Sequence, residues 1–303
     1  MWFVFSIIAL LCWSGSDLFS KIGCERKEDK FSPLKMLTAV GLVMGLHASY
    51  EIFIAGTPIS WNIILTYLPV SLLYIGSMCI GYLGLRYIEL SISSPICNSS
   101  GAIVAVLTIA TAGLSSDIPR ISLLAVALVS LGVIGLGFTE AKEDEGLRKA
   151  RQLASNIQYT KTIWAILIPI IYALLDALGT FADSLVLQTL PEDSANVAYE
   201  LMFFTVGVIS FIYVKFIKKA RYFPQYEGPK YLGAIFETIG QVFYIRALAD
   251  TEYVAFSAPI ISAYCVVSVL WGRIFLKEKL SARHYVNLAL VIAGIVVLGI
   301  LDM

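Results

Sequence analysis

Residues 127–137 read ALVSLGVIGLG, and residues 289–299 read ALVIAGIVVLG. The two align without a gap, and six of the eleven positions are identical (Ala, Leu, Val, Gly, Leu and Gly). A second pair, SSPI at 93–96 and SAPI at 257–260, falls in the same order. The offsets are 289 − 127 = 162 and 257 − 93 = 164. Segments this apolar match by chance more easily than polar ones, so neither pair carries much alone. Their shared order and near-equal offsets point to an internal duplication.

Composition says what is duplicated. The 303 residues are 58% hydrophobic and only 15% charged, with a mean hydropathy of +0.80, whereas a soluble domain carries about 25% charged residues. Ten stretches approach the roughly 17–25 apolar residues that cross a bilayer: 2–22, 33–54, 62–87, 93–112, 120–138, 162–187, 197–217, 230–249, 253–276 and 284–301. Turn and charge signals separate them, in segments such as CERKEDKFSP, LPEDSA and KKARYFPQYEGPK. The longest and most charged connector divides the chain, so the expected organisation is a first five-helix repeat over 1–138, a charged connector over 139–161 and a second repeat over 162–303. Five is odd, so the second copy inserts upside down relative to the first. The expected fold is therefore an all-α membrane protein of ten transmembrane helices in two inverted five-helix repeats, an arrangement common among secondary transporters with a midplane site.

Basic residues support the count. Of the 22 lysines and arginines, twenty lie on odd-numbered loops and their flanks, and only Arg120 and Arg246 on even ones. The positive-inside rule places odd loops in the cytoplasm and both termini outside. The first stretch, MWFVFSIIALLCW, resembles a signal-peptide core, but no positive charge precedes it and no A-x-A site follows. It reads as a retained helix of a multi-pass protein, in a bacterial inner or plasma membrane. Net charge is zero, which suggests no nucleic-acid partner. The five cysteines are scattered with no CxxC spacing, as small apolar side chains are. His47 and Glu51 stand at i and i+4, but two ligands without a third do not make a metal site. No cofactor and no metal are expected.

Ten helices as five plus five, YIRALADTEYVAFSAPI leading into the ninth and FLKEKLS just after it, resemble the drug/metabolite transporter superfamily in its EamA-type branch. The resemblance spans essentially the whole chain, but its motifs are loose. It implies a central cavity between two inverted repeats and movement of small organic solutes by alternating access. Amino acids, metabolites, nucleotide sugars and quaternary amines are all handled within such a family. A monomer suffices for this architecture, and a dimer is compatible with it. The expected partners are a small-molecule solute and the lipid bilayer.

Candidate solute contacts come from polar groups at membrane depth, where an ionisable side chain is costly and needs a reason. In AIFETIGQVFYIRAL (234–248), Glu237, Gln241 and Tyr244 lie at i, i+4 and i+7, on one helical face. A carboxylate there can bind a cation or carry a coupling proton, and Glu237 is the proton-coupling candidate. The alternative is a structural hydrogen bond between helices. WSGSD in the first span and YALLD in the sixth align Trp13 with Tyr172 and Asp17 with Asp176. An aromatic face beside a carboxylate suits an ammonium group. Asp17 has a competing reading as an interfacial acid beside Lys21.

Tyr199 and Glu200, within NVAYELMFF, could line a cavity mouth, although Glu200 also reads as a helix-start acid. The serines of SSPICNSSG (93–101) and SAPIISAY (257–264), with Asn98 and Tyr264, offer neutral donors and acceptors, against a packing role for small residues. Asp183, seven residues after Asp176, has no assigned role. Few basic residues lie at depth, which argues against phosphorylated solutes.

The leading function is a secondary transporter of a cationic or zwitterionic solute (a quaternary amine, an amine or an amino acid), with a proton as candidate coupling ion. The alternatives are an exporter of neutral metabolites or amino acids without a cation site, and a non-transporting sensor or scaffold. An enzyme is not expected: there are two histidines and no HExxH or GxSxG.

Overall fold

The computed structural model describes residues 1–24, 29–87, 90–113, 120–141, 164–275 and 280–301. Its regular structure is entirely helical among these residues. In lipid the backbone must bond to itself, and apolar runs of this length do so as helices. The helices are α1 (Trp2–Cys24), α2 (Ser32–Tyr50), α3 (Trp61–Tyr87), α4 (Leu90–Cys97), α5 (Ser100–Ala112) and α6 (Arg120–Ala141), then α7 (Trp164–Val186), α8 (Glu192–Ile212), α9 (Pro224–Ala249), α10 (Val254–Ser262), α11 (Tyr264–Phe275) and α12 (Ala282–Leu301). Among the described residues, nine helices are long and apolar enough to cross a membrane, and Arg120–Leu136 is a shorter apolar helix. Most of the 139–161 connector lies outside the described residues.

Local chemistry sets the helix ends. Glu192 and Asp193 occupy the first turn of α8, where the helix dipole favours acids. Pro224 opens α9, where its missing N–H costs nothing. Both helices consequently start earlier than the apolar runs at 197 and 230 suggest. Gly56 (φ +78°) follows the end of the second span and Gly113 (φ +74°) the end of the fourth, in backbone conformations that a Cβ would strain.

Spans four and nine differ from the sequence expectation. Each is broken rather than continuous: α4 gives way to α5 at Asn98 and Ser99, and α10 to α11 at Ala263. Pro95 and Pro259 are not first-turn prolines. They lie inside α4 and α10, shortly before the breaks. At each break the ladder tightens to three-residue bonds, from Ser99 N to Ile96 O at 3.2 Å and from Ala263 N to Ile260 O at 3.0 Å. The breaks stand 164 residues apart (99 and 263), the offset of SSPI and SAPI. Spans two and seven also share an irregularity. Both end in a π turn, Glu51–Ala55 and Tyr213–Ile217, and 213 − 51 = 162.

Helix pairing follows the same exchange. α1 packs on α9 while α3 packs on α7; α2 packs on α9 while α8 packs on α3; α1 packs on α10 and α11 while α7 packs on α4 and α5. α2–α8, α6–α12 and α5–α10 pair across the halves. The α6–α12 seam closes on two glycines. A Cβ on Gly132 would stand 3.1 Å from Val291 N, and one on Gly294 3.1 Å from Val129 N. Both pairs are 162 apart, since 294 − 132 = 291 − 129. Small residues let backbones approach where packing, rather than hydrophobic exclusion, holds helices together.

Large apolar side chains such as Leu46, Phe53, Trp61 and Ile209 stand exposed around the bundle. In water this would be an aggregation surface; in a bilayer it is the face that meets lipid. This is a multi-pass integral membrane protein.

Candidate functional site

A cavity of about 80 Å³ lies between the two halves. At roughly 10–15 Å³ per water position, it holds several waters or a small solute. Its wall is built from one face of each contributing helix. α1 supplies Trp13, Ser16, Asp17 and Ser20 at helical spacing, and α7 supplies Tyr172, Asp176 and Thr180. α9 supplies Glu237, Gln241 and Tyr244, the face marked by their i, i+4, i+7 spacing. Tyr199 reaches the wall from α8, Asn98 from the break of span four, and Tyr264 from the start of α11.

Three carboxylates line this space, and each is held by hydroxyl donors. Ser16 Oγ donates to Glu237 Oε2 at 2.7 Å. Ser94 Oγ and Ser268 Oγ donate to Asp17 Oδ2 at 2.7 and 3.0 Å. Ser100 Oγ donates to Asp176 Oδ2 at 2.7 Å. The broken span four thus presents Ser94 to one aspartate and Ser100 to the other. No Lys, Arg or His lines the cavity among the described residues. Hydrogen bonds to a charged group contribute about 1.5–3 kcal/mol each, which offsets only part of the cost of burying an ionised carboxylate.

The other walls are aromatic. Trp13 stands 4.8 Å from Tyr244, ring centre to ring centre, and 5.9 Å from Tyr264 in an edge-on contact. Two glycines make room for the flanking rings. A Cβ on Gly240 would come within 2.6 Å of Trp13 Nε1, and one on Gly81 within 2.8 Å of Tyr172 Cε2. Both the aromatics and the glycines are 159 apart, since 172 − 13 = 240 − 81. Among the described residues, Gln241 Nε2, Tyr82 Oη and Ser20 Oγ are buried polar atoms of the wall without a hydrogen-bond partner.

Glu200 sits elsewhere. Its carboxylate meets His47 Nδ1 at 2.9 Å and accepts from Asn196 Nδ2 at 3.0 Å, and it does not line the cavity. Neighbouring residues on a helix diverge by about 100°, so Tyr199 faces the cavity while Glu200 turns to α2. Nearby, Arg246 meets Asp193 at 3.2 Å, and both groups lie at the even-loop end. At the odd-loop end, Lys35 meets Asp29 at 2.8 Å and Glu227 at 3.6 Å, and Lys230 meets the same two acids at 3.5 and 3.2 Å. The cavity lies between these charged ends. Among the described residues no group of three His, Cys, Asp or Glu side chains could hold a metal ion.

The cavity also contains residues that sequence reasoning missed. Tyr74 and Tyr82 line it from α3, and Ser16 serves Glu237. The tyrosines had a signal: Tyr67, Tyr74 and Tyr82 recur at seven and eight residues, one face of a helix. Ser16 had none, because serine on an apolar helix reads equally well as packing, whereas Ser94 and Ser100 belong to the 93–101 segment whose serines read as neutral donors.

Residues 161–300 match the model of the EamA-like transporter family. No curated protein matches the chain. A crystal structure of another protein superposes with a TM-score of 0.63 over 99% of this chain and 96% of its own, at 14% sequence identity. That likeness concerns the fold alone.

Proposed function

From the membership of residues 161–300 in the EamA-like transporters, a family of small-molecule transporters in the drug/metabolite transporter superfamily, we infer that this protein is a secondary transporter of a small organic cation or zwitterion. One observation carries the solute class. Asp17, Asp176 and Glu237 line a single cavity with aromatic walls and no basic lining residue among those described. Buried like charges need compensation, and either protons or a cationic solute would supply it. Trp13, Tyr172, Tyr244 and Tyr264 offer the ring faces that attract an ammonium group. Gln241 Nε2, Tyr82 Oη and Ser20 Oγ, without a partner among the described residues, favour a zwitterion as the second reading, since they could donate to a solute carboxylate.

The mechanism follows from the two halves. Paired contacts, paired breaks and paired glycines at offsets of 159 to 164 support two inverted five-helix repeats, 1–138 and 162–303. Rocking of one repeat against the other would open the cavity to each side in turn. The buried Lys35–Asp29 network would seal the odd-loop end, and the His47–Glu200 and Arg246–Asp193 contacts the even-loop end. The distribution of lysine and arginine supports cytoplasmic odd loops in a bacterial inner or plasma membrane. A proton on Glu237 and a cation in the cavity compete for the same charge, so the proton is the natural counter-ion of exchange.

The experiment is thermal stability of the detergent-purified protein against quaternary amines, polyamines, amino acids and nucleotide sugars, at two pH values. Stabilisation by one cationic or zwitterionic class, weaker at low pH, supports the reading, and flux into liposomes then tests transport. Stabilisation by neutral or anionic ligands alone overturns the cation site and favours an exporter of neutral metabolites.

A further inference from the structure

A chain of hydroxyl groups leads out of the cavity to a carboxyl that does not line it. Asp183 is wholly buried in α7 and shares a helical face with Asp176 and Thr180. Tyr67 Oη bonds its Oδ1 at 2.8 Å, and Tyr74 Oη its Oδ2 at 3.3 Å. The Tyr74 hydroxyl also bonds the Tyr244 hydroxyl, and the two reach Thr180 Oγ1 at 3.3 and 2.9 Å. Tyr74, Tyr244 and Thr180 line the cavity; Asp183 and Tyr67 do not.

This chain can be drawn completely in two directions. With Asp183 ionised, both Oδ atoms accept, so Tyr74 donates to Asp183 and accepts from Tyr244. With Asp183 protonated on Oδ2, Asp183 donates to Tyr74, Tyr74 donates to Tyr244, and Tyr244 donates to Thr180. One proton at Asp183 therefore reverses the polarity of two hydroxyls in the cavity wall, with no movement of heavy atoms.

We propose that Asp183 is a proton site of the transporter, reached from the cavity through the Tyr244 and Tyr74 hydroxyls, and that its charge sets which way those hydroxyls point at the solute. The proposal rests on the reading of the cavity as the solute site. A proton from a hydronium ion in the cavity adds to Tyr244 Oη, leaving water, as the Tyr244 proton passes to Tyr74 Oη and the Tyr74 proton passes to Asp183 Oδ2. Each hydroxyl gains one proton and loses one, and the net change is one proton moved from hydronium to carboxylate. The titratable groups that face Asp183 are Tyr67 and Tyr74 of α3 and Tyr244 of α9, with Tyr199 of α8 beside Tyr67 and Asp176 of α7 beside Tyr74. No basic side chain forms an ion pair with it among the described residues. Geometry protects the link: a Cβ on Gly179 would stand 2.9 Å from the Tyr74 ring, so that glycine lets Tyr74 lie against α7 one turn from Asp183.

The test is infrared difference spectroscopy of the full chain in lipid after a jump between about pH 9 and about pH 5. The wild type should gain a protonated-carboxyl band that Asp183→Asn lacks. Tyr74→Phe keeps the carboxyl and cuts the relay, so the same band should rise about a hundredfold more slowly, the low end of what a positioned proton carrier contributes. A spectrum for Asp183→Asn equal to wild type overturns the proposal. If Asp183→Asn does not fold, an unchanged rate in Tyr74→Phe overturns it equally. Neither readout needs a solute, so a ligand panel that fails to bind would sink the transport reading without touching these bands.

Discussion

Gly41 of α2 and Gly207 of α8 meet backbone to backbone: a Cβ on Gly41 would stand 2.8 Å from Gly207 Cα, and one on Gly207 2.9 Å from Gly41 Cα. Nothing flexible stands between them to give way. Gly207→Val should therefore force the second and seventh spans apart, at about 1–3 kcal/mol for overpacking. The melting temperature in detergent should fall. Gly228→Ala is the control, since a Cβ there meets nothing within 4 Å, and it should melt at or slightly above the wild-type temperature. Equal melting of Gly207→Val and wild type would mean that the seam is looser than described.

The rings of Trp13 and Tyr172 depend on Gly240 and Gly81 in the same way. Gly81→Leu and Gly240→Leu should each displace an aromatic wall and weaken binding of a quaternary ammonium probe. The loss should be about tenfold for each, the order of one desolvated cation–π contact. Isothermal titration with tetraethylammonium reads this directly. Unchanged affinity in both variants would remove the rings from the site.

Glu237 decides the sign of the pH dependence. A proton on its carboxyl removes the charge that a cation needs, so affinity for a cationic ligand should fall as pH falls. Glu237→Gln is fixed in the neutral form and should bind more weakly, with a flattened pH profile. Ser16→Ala removes the 2.7 Å donor that stabilises the ionised form and should move the profile to higher pH. A steep, unshifted profile in Glu237→Gln would assign the titration to another group.

Asp29, Lys35 and Lys230 predict a large stability effect outside the cavity. The side chains of Lys35 and Lys230 are 0% exposed and that of Asp29 is 3% exposed. Removing one member of a buried ion pair costs about 3–5 kcal/mol. Asp29→Asn should lower the melting temperature more than Asp193→Asn, whose partner Arg246 is 37% exposed. Equal effects would mean that water reaches the Lys35 network.

The fold was legible in the sequence because length and hydropathy alone define a span, and because the seam at Gly132 and Gly294 lies inside the two matching eleven-residue segments. The carboxylate face of α9 was legible too, since Glu237, Gln241 and Tyr244 interrupt an apolar run at helical spacing. Ser268 as a partner of Asp17 was not: it stands 251 residues away, and only the packed bundle brings it to 3.0 Å. The breaks in spans four and nine were hidden for a related reason. Proline at 95 or 259 is compatible with a first turn, and only the start of each helix, several residues upstream, shows otherwise. Glu200 adjoins a cavity residue in sequence, but one helical step turns it to His47.

Every carboxylate of the cavity takes at least one donor from a distant part of the chain, and that has a consequence for biosynthesis. Ser16 waits for Glu237, Ser100 for Asp176 and Asp17 for Ser268, while α6 finds its main neighbour only in α12. A ribosome that has released the first five spans has therefore delivered polar groups to the bilayer without all their counterparts. The nascent half must be sheltered by the insertion machinery, or hold its acid as a neutral species, until the ninth span is synthesised.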